Sequence, residues 1–251
     1  LREHTTQLQE RNEDLDSFSH TVAHDLKSPL GSVIGFADHI LDEYPQVTAG
    51  KIGKYLNNIA NSGRKMRQIV DSLLLFANIR KSEIHSEELN MSNIVNEAIN
   101  RLQPLISKHN AEIALPKTWP TVLGQTDWIE EVWINYLSNA IKYCGPKPCI
   151  EIGSDTGMAK DAPDRQVRFW VRDNGPGISD VNQKVLFNKF ERLDQIKTEG
   201  HGLGLSIVRR IIEKQGGNVG VESYPENHSE QEEHGSFFYF TLPISSEKKN
   251  N

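Results

Sequence analysis

The sequence has 251 residues, 37% of them hydrophobic and 25% charged, with 28 basic residues against 34 acidic ones and a net charge of -6. That length suits one large domain or two small ones, and the acidic balance argues against a nucleic-acid partner, which would call for a basic face. No apolar run approaches the ~20 residues of a membrane span, and no secretory signal precedes the first helix.

The start at Leu1, without methionine, leads us to expect a longer parent chain. From there to about Tyr44 the pattern is helical. Leu1, Leu8, Leu15 and Val22 recur every seven residues, and Phe18, Leu26, Leu30, Ile34, Ala37 and Leu41 carry the apolar stripe onward. Such a stripe predicts a coiled coil or bundle. His4 and Arg11 interrupt a second seam, so the first turns should be held less firmly than those after Phe18. "YPQVTAG" ends the pattern with Pro45 and Gly50. A second helix follows over 51–79, with Ile52, Leu56, Ile59, Met66, Ile69, Leu73 and Phe76 at helical spacing. Two long helices joined by a short turn make an antiparallel hairpin. One hairpin has a stripe but no closed core, and two copies would close a four-helix bundle. A homodimer through residues 1–85 is therefore expected.

Polar residues cluster in "RKSEIHSEELNMSN", where Ser92 is placed to cap a helix, "NIVNEAINRLQPLISK". Beyond it, "AEIAL", "CIEIGSD", "QVRFWVRD", "GNVGVES" and "GSFFYFTLP" read as strands. "TDWIEEVWINYLSNAIKYC" and "LGLSIVRRIIEKQ" read as helices. The expected organisation is a signalling helix over 1–17, a helical hairpin over 18–85, an α+β domain over 86–245 and a frayed polar tail over 246–251. Cys144 and Cys149, in "CGPKPC", fit neither a zinc knuckle nor a CxxC pair and are read as two reduced thiols.

Three pieces of the second half carry chemistry. In "NYLSNAIKY", Asn135 and Asn139 lie four apart on one helical face. Their carboxamide oxygens suit a hydrated hard cation such as Mg2+, and Lys142 adds a point charge suited to phosphate. A merely solvated polar face would look the same. In "RDNGPGIS", after a strand, Gly175 and Gly177 would let a ligand approach the backbone and Asp173 would accept a hydrogen bond from an exocyclic amine; a tight turn is the plainer alternative. In "GHGLGLS", Gly200, Gly202 and Gly204 alternate before a helix, whose free N–H groups and positive end make a phosphate cradle. Neither a P-loop nor a Rossmann turn fits this run.

In this order, the three pieces resemble the N, G1 and G2 boxes of the Bergerat-type (GHKL) ATPase fold, and "LFNKFERLD" resembles its F box. "AHDLKSPL" resembles the H box of a dimerisation and phosphotransfer hairpin. Nearly all of 15–244 is similar to the cytoplasmic core of a two-component sensor histidine kinase. That resemblance implies two domains: a dimeric four-helix bundle made of hairpins, then an α+β sandwich. By the family pattern His24 is the phosphoacceptor, and Asp25 takes the proton of the ring's other nitrogen. Lys27 would neutralise the incoming phosphoryl group, and Pro29, which lacks an N–H, would kink the helix into a hinge. The ATP site would comprise Asn135, Asn139 with Mg2+, Lys142, Tyr143, Asp173, Gly175, Gly177, Arg192, Gly200, Gly202, Leu203 and Gly204, under a lid over about 188–199.

The family usually places Thr or Asn four residues after the phosphoacceptor, to help dephosphorylate the partner. Here Ser28 stands there. His201 replaces a smaller residue or Thr in the last glycine box. The expected partners are a second copy, a response-regulator receiver domain acting in trans and a sensor domain upstream in the parent chain. The location is cytoplasmic, with a parent either soluble or membrane-anchored. Two rival readings remain: another Bergerat-type ATPase, disfavoured because Asn135 stands where a glutamate base would be and an H-box hairpin precedes the domain, and a dimeric scaffold that binds nucleotide without transfer.

Overall fold

The computed structural model describes residues 26–42, 48–81, 85–155, 166–187, 204–224 and 234–244. The signalling helix expected over 1–17 and the tail over 246–251 lie outside them, as do His24, Asp25, Arg192, Gly200, Gly202 and Leu203. The chain divides into two compact units, Leu1–Asn78 and Ile79–Asn251.

The first unit is helical. Helix α1 covers residues 26–42 and runs on through Pro29. The Ser32 hydroxyl donates to Ser28 O at 3.3 Å, one turn back. Helix α2, Ala49–Lys81, starts two residues before the predicted Lys51. Tyr55 on α2 lies against two rings of α1, with centroids 5.8 Å from Phe36 and 5.9 Å from His39. Part of the apolar stripe stays open: Leu30 is 47% exposed, Ile34 53%, Leu41 73% and Leu56 54%, while Ile69 is buried.

The second unit is a five-stranded sheet with helices on one face. The order is β2 (Glu112–Ala114), β4 (Cys149–Asp155), β5 (Gln166–Asp173), β7 (Gly235–Pro243), β6 (Val219–Tyr224). Strands β2 and β4 are parallel and the other pairs antiparallel. Strand alternation decides which face is buried: Val167, Phe169 and Val171 of β5 register beside Leu242, Phe240 and Phe238 of β7, all under 9% exposed. Against that face pack α4 (Thr126–Tyr143) and α6 (Gly204–Lys214), and α3 (Met91–His109) packs on α4. Trp133 of α4 is the centre, 5.2 Å from the Phe240 ring and 6.3 Å from Phe169. Its indole N–H donates to Met91 Sδ at 3.1 Å, so the ring is buried without an orphaned donor. Each fully buried large apolar side chain here is worth about 1.5–3 kcal/mol.

Strands β4, β5 and β7 have the predicted bounds. Three short elements were not anticipated: β1 (Glu87–Glu88) pairing with β3 (Leu123–Gly124), and α5 (Asp180–Val185). Two-residue strands carry no readable alternation, and α5 is too short for an apolar stripe. The cap of α3 is Asn90 rather than Ser92: its Oδ1 accepts the Asn93 N–H at 3.2 Å. Burial of Met91 beneath Trp133 moves the helix start forward, leaving Ser92 in the first turn and exposed. At the other end Asn110 adopts φ 50°, ψ 45°, the left-handed cap that asparagine tolerates. Among the described residues no helix is long and apolar enough to cross a membrane.

Asn90→Ala should cost the second unit about 1 kcal/mol and lower its Tm by about 2–4 °C in a calorimetric scan. Ser92→Ala should leave Tm unchanged.

Candidate functional site

Helix α4 has two faces. Trp128, Ile129, Val132, Trp133, Tyr136, Leu137, Ala140 and Ile141 are buried in the core. Asn135, Asn139, Lys142 and Tyr143 recur on the other side and are half-buried. The Asn135 amide donates to Glu131 O at 2.8 Å, which fixes the carboxamide. Its Oδ1 then lies so close to Gly204 that a Cβ there would sit 2.2 Å away. Gly204 opens α6, so the absence of a side chain lets the start of that helix reach the asparagine face of α4. The first piece of the site and the last glycine of the third are thereby brought together.

The second piece meets α4 at its other end. Asp173 ends β5, registered between Ile150 of β4 and Ser236 of β7, and is 8% exposed. Its Oδ1 accepts the N–H of Gly175 at 2.8 Å and of Ser236 at 3.3 Å. Burial pushes the carboxyl pKa above its ordinary value, and the two amide donors pull it back only in part. A Cβ on Gly175 would come within 2.8 Å of Asp173 Oδ1, 3.1 Å of Cys144 Cα and 3.4 Å of Tyr143 O. The loop therefore lies flat on the end of α4, beside Tyr143. Gly177 turns the chain with φ 73°, a left-handed conformation.

Neighbours that the sequence did not mark hold this loop. Gly235 has φ 138°, and a Cβ there would be 2.0 Å from Asp173 O. Asn174 clips the turn after α4: its Oδ1 accepts the Cys144 thiol at 2.7 Å and the Cys149 N–H at 2.8 Å, and its amide donates to Lys147 O at 3.4 Å. Burial raises the Cys144 pKa and keeps the thiol a donor. Both cysteines are free thiols, as read from their spacing. The one signal for these roles was the "DNG" turn itself.

Chemically, the assembled pieces offer a desolvated carboxylate for a donor, bare backbone beside it, and the Asn135 carboxamide at the start of a helix, with that of Asn139 one turn along α4, for phosphate or a hard cation. Ser28 lies exposed on α1, in the other unit. Among the described residues no three His, Cys, Asp or Glu side chains gather as metal ligands.

Residues 14–82 match the family described as the His Kinase A (phospho-acceptor) domain. Residues 124–246 match the histidine kinase-, DNA gyrase B-, and HSP90-like ATPase family. The methanogenesis regulatory histidine kinase FilI of Methanothrix harundinacea is 31% identical, covering 97% of this chain and 26% of FilI. The adaptive-response sensory kinase SasA of Synechocystis sp. is 30% identical, over 97% of this chain and 63% of its own length. The chain thus spans between 26% and 63% of these relatives. The solved histidine kinase ThkA, in complex with response regulator protein TrrA, superposes with a TM-score of 0.72 at 26% identity, over 96% of this chain and 65% of that one.

The raised pKa of Asp173 has a stability consequence. The folded chain holds this proton more tightly than the unfolded one, so stability falls as pH rises through the window above 3.8, the ordinary value. Asp173→Asn keeps an acceptor for both amides and has no charge to desolvate. In urea unfolding it should be at least as stable as the parent at pH 7, with any gain vanishing as pH drops below that window. A variant less stable at pH 7 would contradict this account of the carboxylate.

Proposed function

The chain belongs to the histidine kinase family, carrying its phosphoacceptor and ATPase domains in that order, and from this we propose that it phosphorylates itself on His24 with ATP and passes the phosphoryl group to an aspartate of a response-regulator receiver domain. The supporting observation is the meeting of three chain segments around one open face: Asn135 against Gly204, and Asp173 against Gly175 beside Tyr143.

Asp173 binds the exocyclic amine of adenine. Its two backbone donors fall on Oδ1, which leaves Oδ2 to accept from the amine. Tyr143 lines the base, Gly175 and Gly177 let it approach the backbone, and Asn135 supports the phosphates with Lys142. Asn139, half-exposed one turn beyond Asn135, would hold Mg2+ through its carboxamide oxygen, a hard ligand, and the ion would supply neutralising charge for the phosphates. Arg192, Gly200, Gly202, Leu203 and Gly204 close over the phosphates by the family pattern.

An imidazole ring has an ordinary pKa of about 6.5, and its neutral form is the nucleophile required of His24. Its ring nitrogen attacks the γ-phosphorus, the bond to the bridging oxygen breaks, and ADP leaves. Asp25 takes the proton of the other ring nitrogen, and the product is a phosphoramidate. Such transfer depends mainly on positioning and charge neutralisation. Ser28 supplies a hydroxyl to position water for hydrolysis of the partner's phosphoaspartate.

The hairpin, 18–85, is the dimerisation and phosphotransfer domain, and 86–245 the catalytic one. The apolar stripe left open by a single hairpin, including Ile34, Leu41 and Leu56, is covered by a second copy. A regulator docks on the hairpin below His24, an upstream sensor domain acts through the first helix, and the core works in the cytoplasm, where ATP and its regulator are held.

Incubated with Mg2+ and γ-labelled ATP, the parent should acquire acid-labile, base-stable label; His24→Gln should bind ATP equally and acquire none. Nucleotide binding without label in the parent would leave a scaffold. Asp173→Asn should weaken ATP binding about tenfold to a hundredfold, the worth of a hydrogen bond to a charged group. Sedimentation equilibrium at micromolar concentration should give the mass of two chains, and the mass of one would refute the dimer.

A further inference from the structure

Both backbone groups of Ile178, just past Gly177, are held by side chains that lie outside every glycine motif. Its N–H donates to Ser223 Oγ at 2.8 Å, and its carbonyl accepts from Gln183 Nε2 at 2.7 Å. The same Gln183 amide donates to Ser223 O at 3.0 Å. A ring of three residues is thereby closed, linking the glycine loop, α5 and β6.

Ser223 is 7% exposed, so its hydroxyl must find its partners in the protein. A hydroxyl has one proton and two lone pairs. The proton goes to Gly235 O at 2.8 Å, and one lone pair takes the Ile178 N–H. The remaining contact, 2.9 Å to Ser236 Oγ, must then have Ser236 as donor. Ser223 is saturated, and the Ser236 hydroxyl is oriented by it. The Ser236 N–H in turn reaches Asp173 Oδ1 at 3.3 Å. A continuous hydrogen-bonded path therefore runs from α5 through Ser223 and Ser236 to the buried carboxylate. The loop is pinned at both ends, at Gly175 by Asp173 and at Ile178 by Ser223 and Gln183.

We propose that Ser223 and Gln183 are positioning residues for base recognition: they hold Asp173 and the glycine loop in the one arrangement that discriminates a 6-aminopurine nucleotide from a purine nucleotide without that amine. The proposal rests on the ATP-site reading above. Neither side chain needs to touch the nucleotide. Removing either would leave the loop free to drift relative to the carboxylate, and the amine would lose its aligned acceptor.

The test measures binding of ATP and of purine ribonucleoside triphosphate, which lacks the 6-amino group, to the full chain. The parent should prefer ATP. Ser223→Ala and Gln183→Met should each weaken ATP by about five- to tenfold while changing the analogue by less than about twofold, so that the preference collapses. Ser223→Thr, which keeps the hydroxyl, should retain it. Gln183 is half-buried on a short helix, so its variant decides the matter if Ser223→Ala does not fold. Equal weakening of both nucleotides, or no change in either, would overturn the proposal and leave these residues a purely structural part. A parent with no preference for ATP would instead overturn the ATP-site reading, and the proposal with it.

Discussion

The arrangement of the second unit depends on a carboxylate placed where water scarcely reaches. A buried charge is tolerated only when hydrogen-bonded, and Asp173 finds its donors in the backbone at Gly175 and Ser236. That requirement sets much of what surrounds it. The chain must turn back within two residues to bring the Gly175 N–H to the side chain, which leaves no room for a Cβ between the loop and the end of α4. Strand β7 must begin with a residue that approaches Asp173 O within the space of a missing side chain, and Gly235 does so at φ 138°. The donors do not cancel the desolvation, as the raised pKa records. The site therefore holds an acceptor that gains by meeting a donor.

Helix α4 supplies the other half of this economy of space. Its inward face anchors the sheet through Trp133, Phe169 and Phe240. Its outward face carries Asn135, Asn139, Lys142 and Tyr143. Rigid packing on one side thus fixes the position of chemistry on the other, a general condition for aligned sites. Loops alone would not hold Asn135 to the start of α6, where the fit leaves space only for glycine.

The larger elements were legible because their periods are clean. "QVRFWVRD" and "GSFFYFTLP" alternate strictly, and their bounds in the structure are the predicted ones. Family motifs marked Asn135, Asn139, Asp173 and the glycines, and the structure brings Asn135 to Gly204 and Gly175 to Tyr143 and Asp173. Less could be read where two residues compete for one role. Asn90 and Ser92 are both good caps, and the choice between them falls to Met91, which the Trp133 indole draws into the core. Ser223 reads in sequence as the polar end of a strand, and Gln183 as one polar residue among several. Their importance lies in contacts across 40 or more residues, which no local pattern carries. The roles of Cys144 and Asn174 were hidden for the same reason.

The proposed recognition of ATP turns on the protonation of one side chain, and carbon-detected NMR of the Asp173 carboxyl reads it directly. Titrated in the free protein, the group should show a pKa above the ordinary carboxyl value. Saturating ATP should bring it down, because the amine donor stabilises the charged form, and purine ribonucleoside triphosphate should leave it high. An ordinary pKa in the free protein, or no response to ATP, would contradict the view that burial of Asp173 awaits an amine.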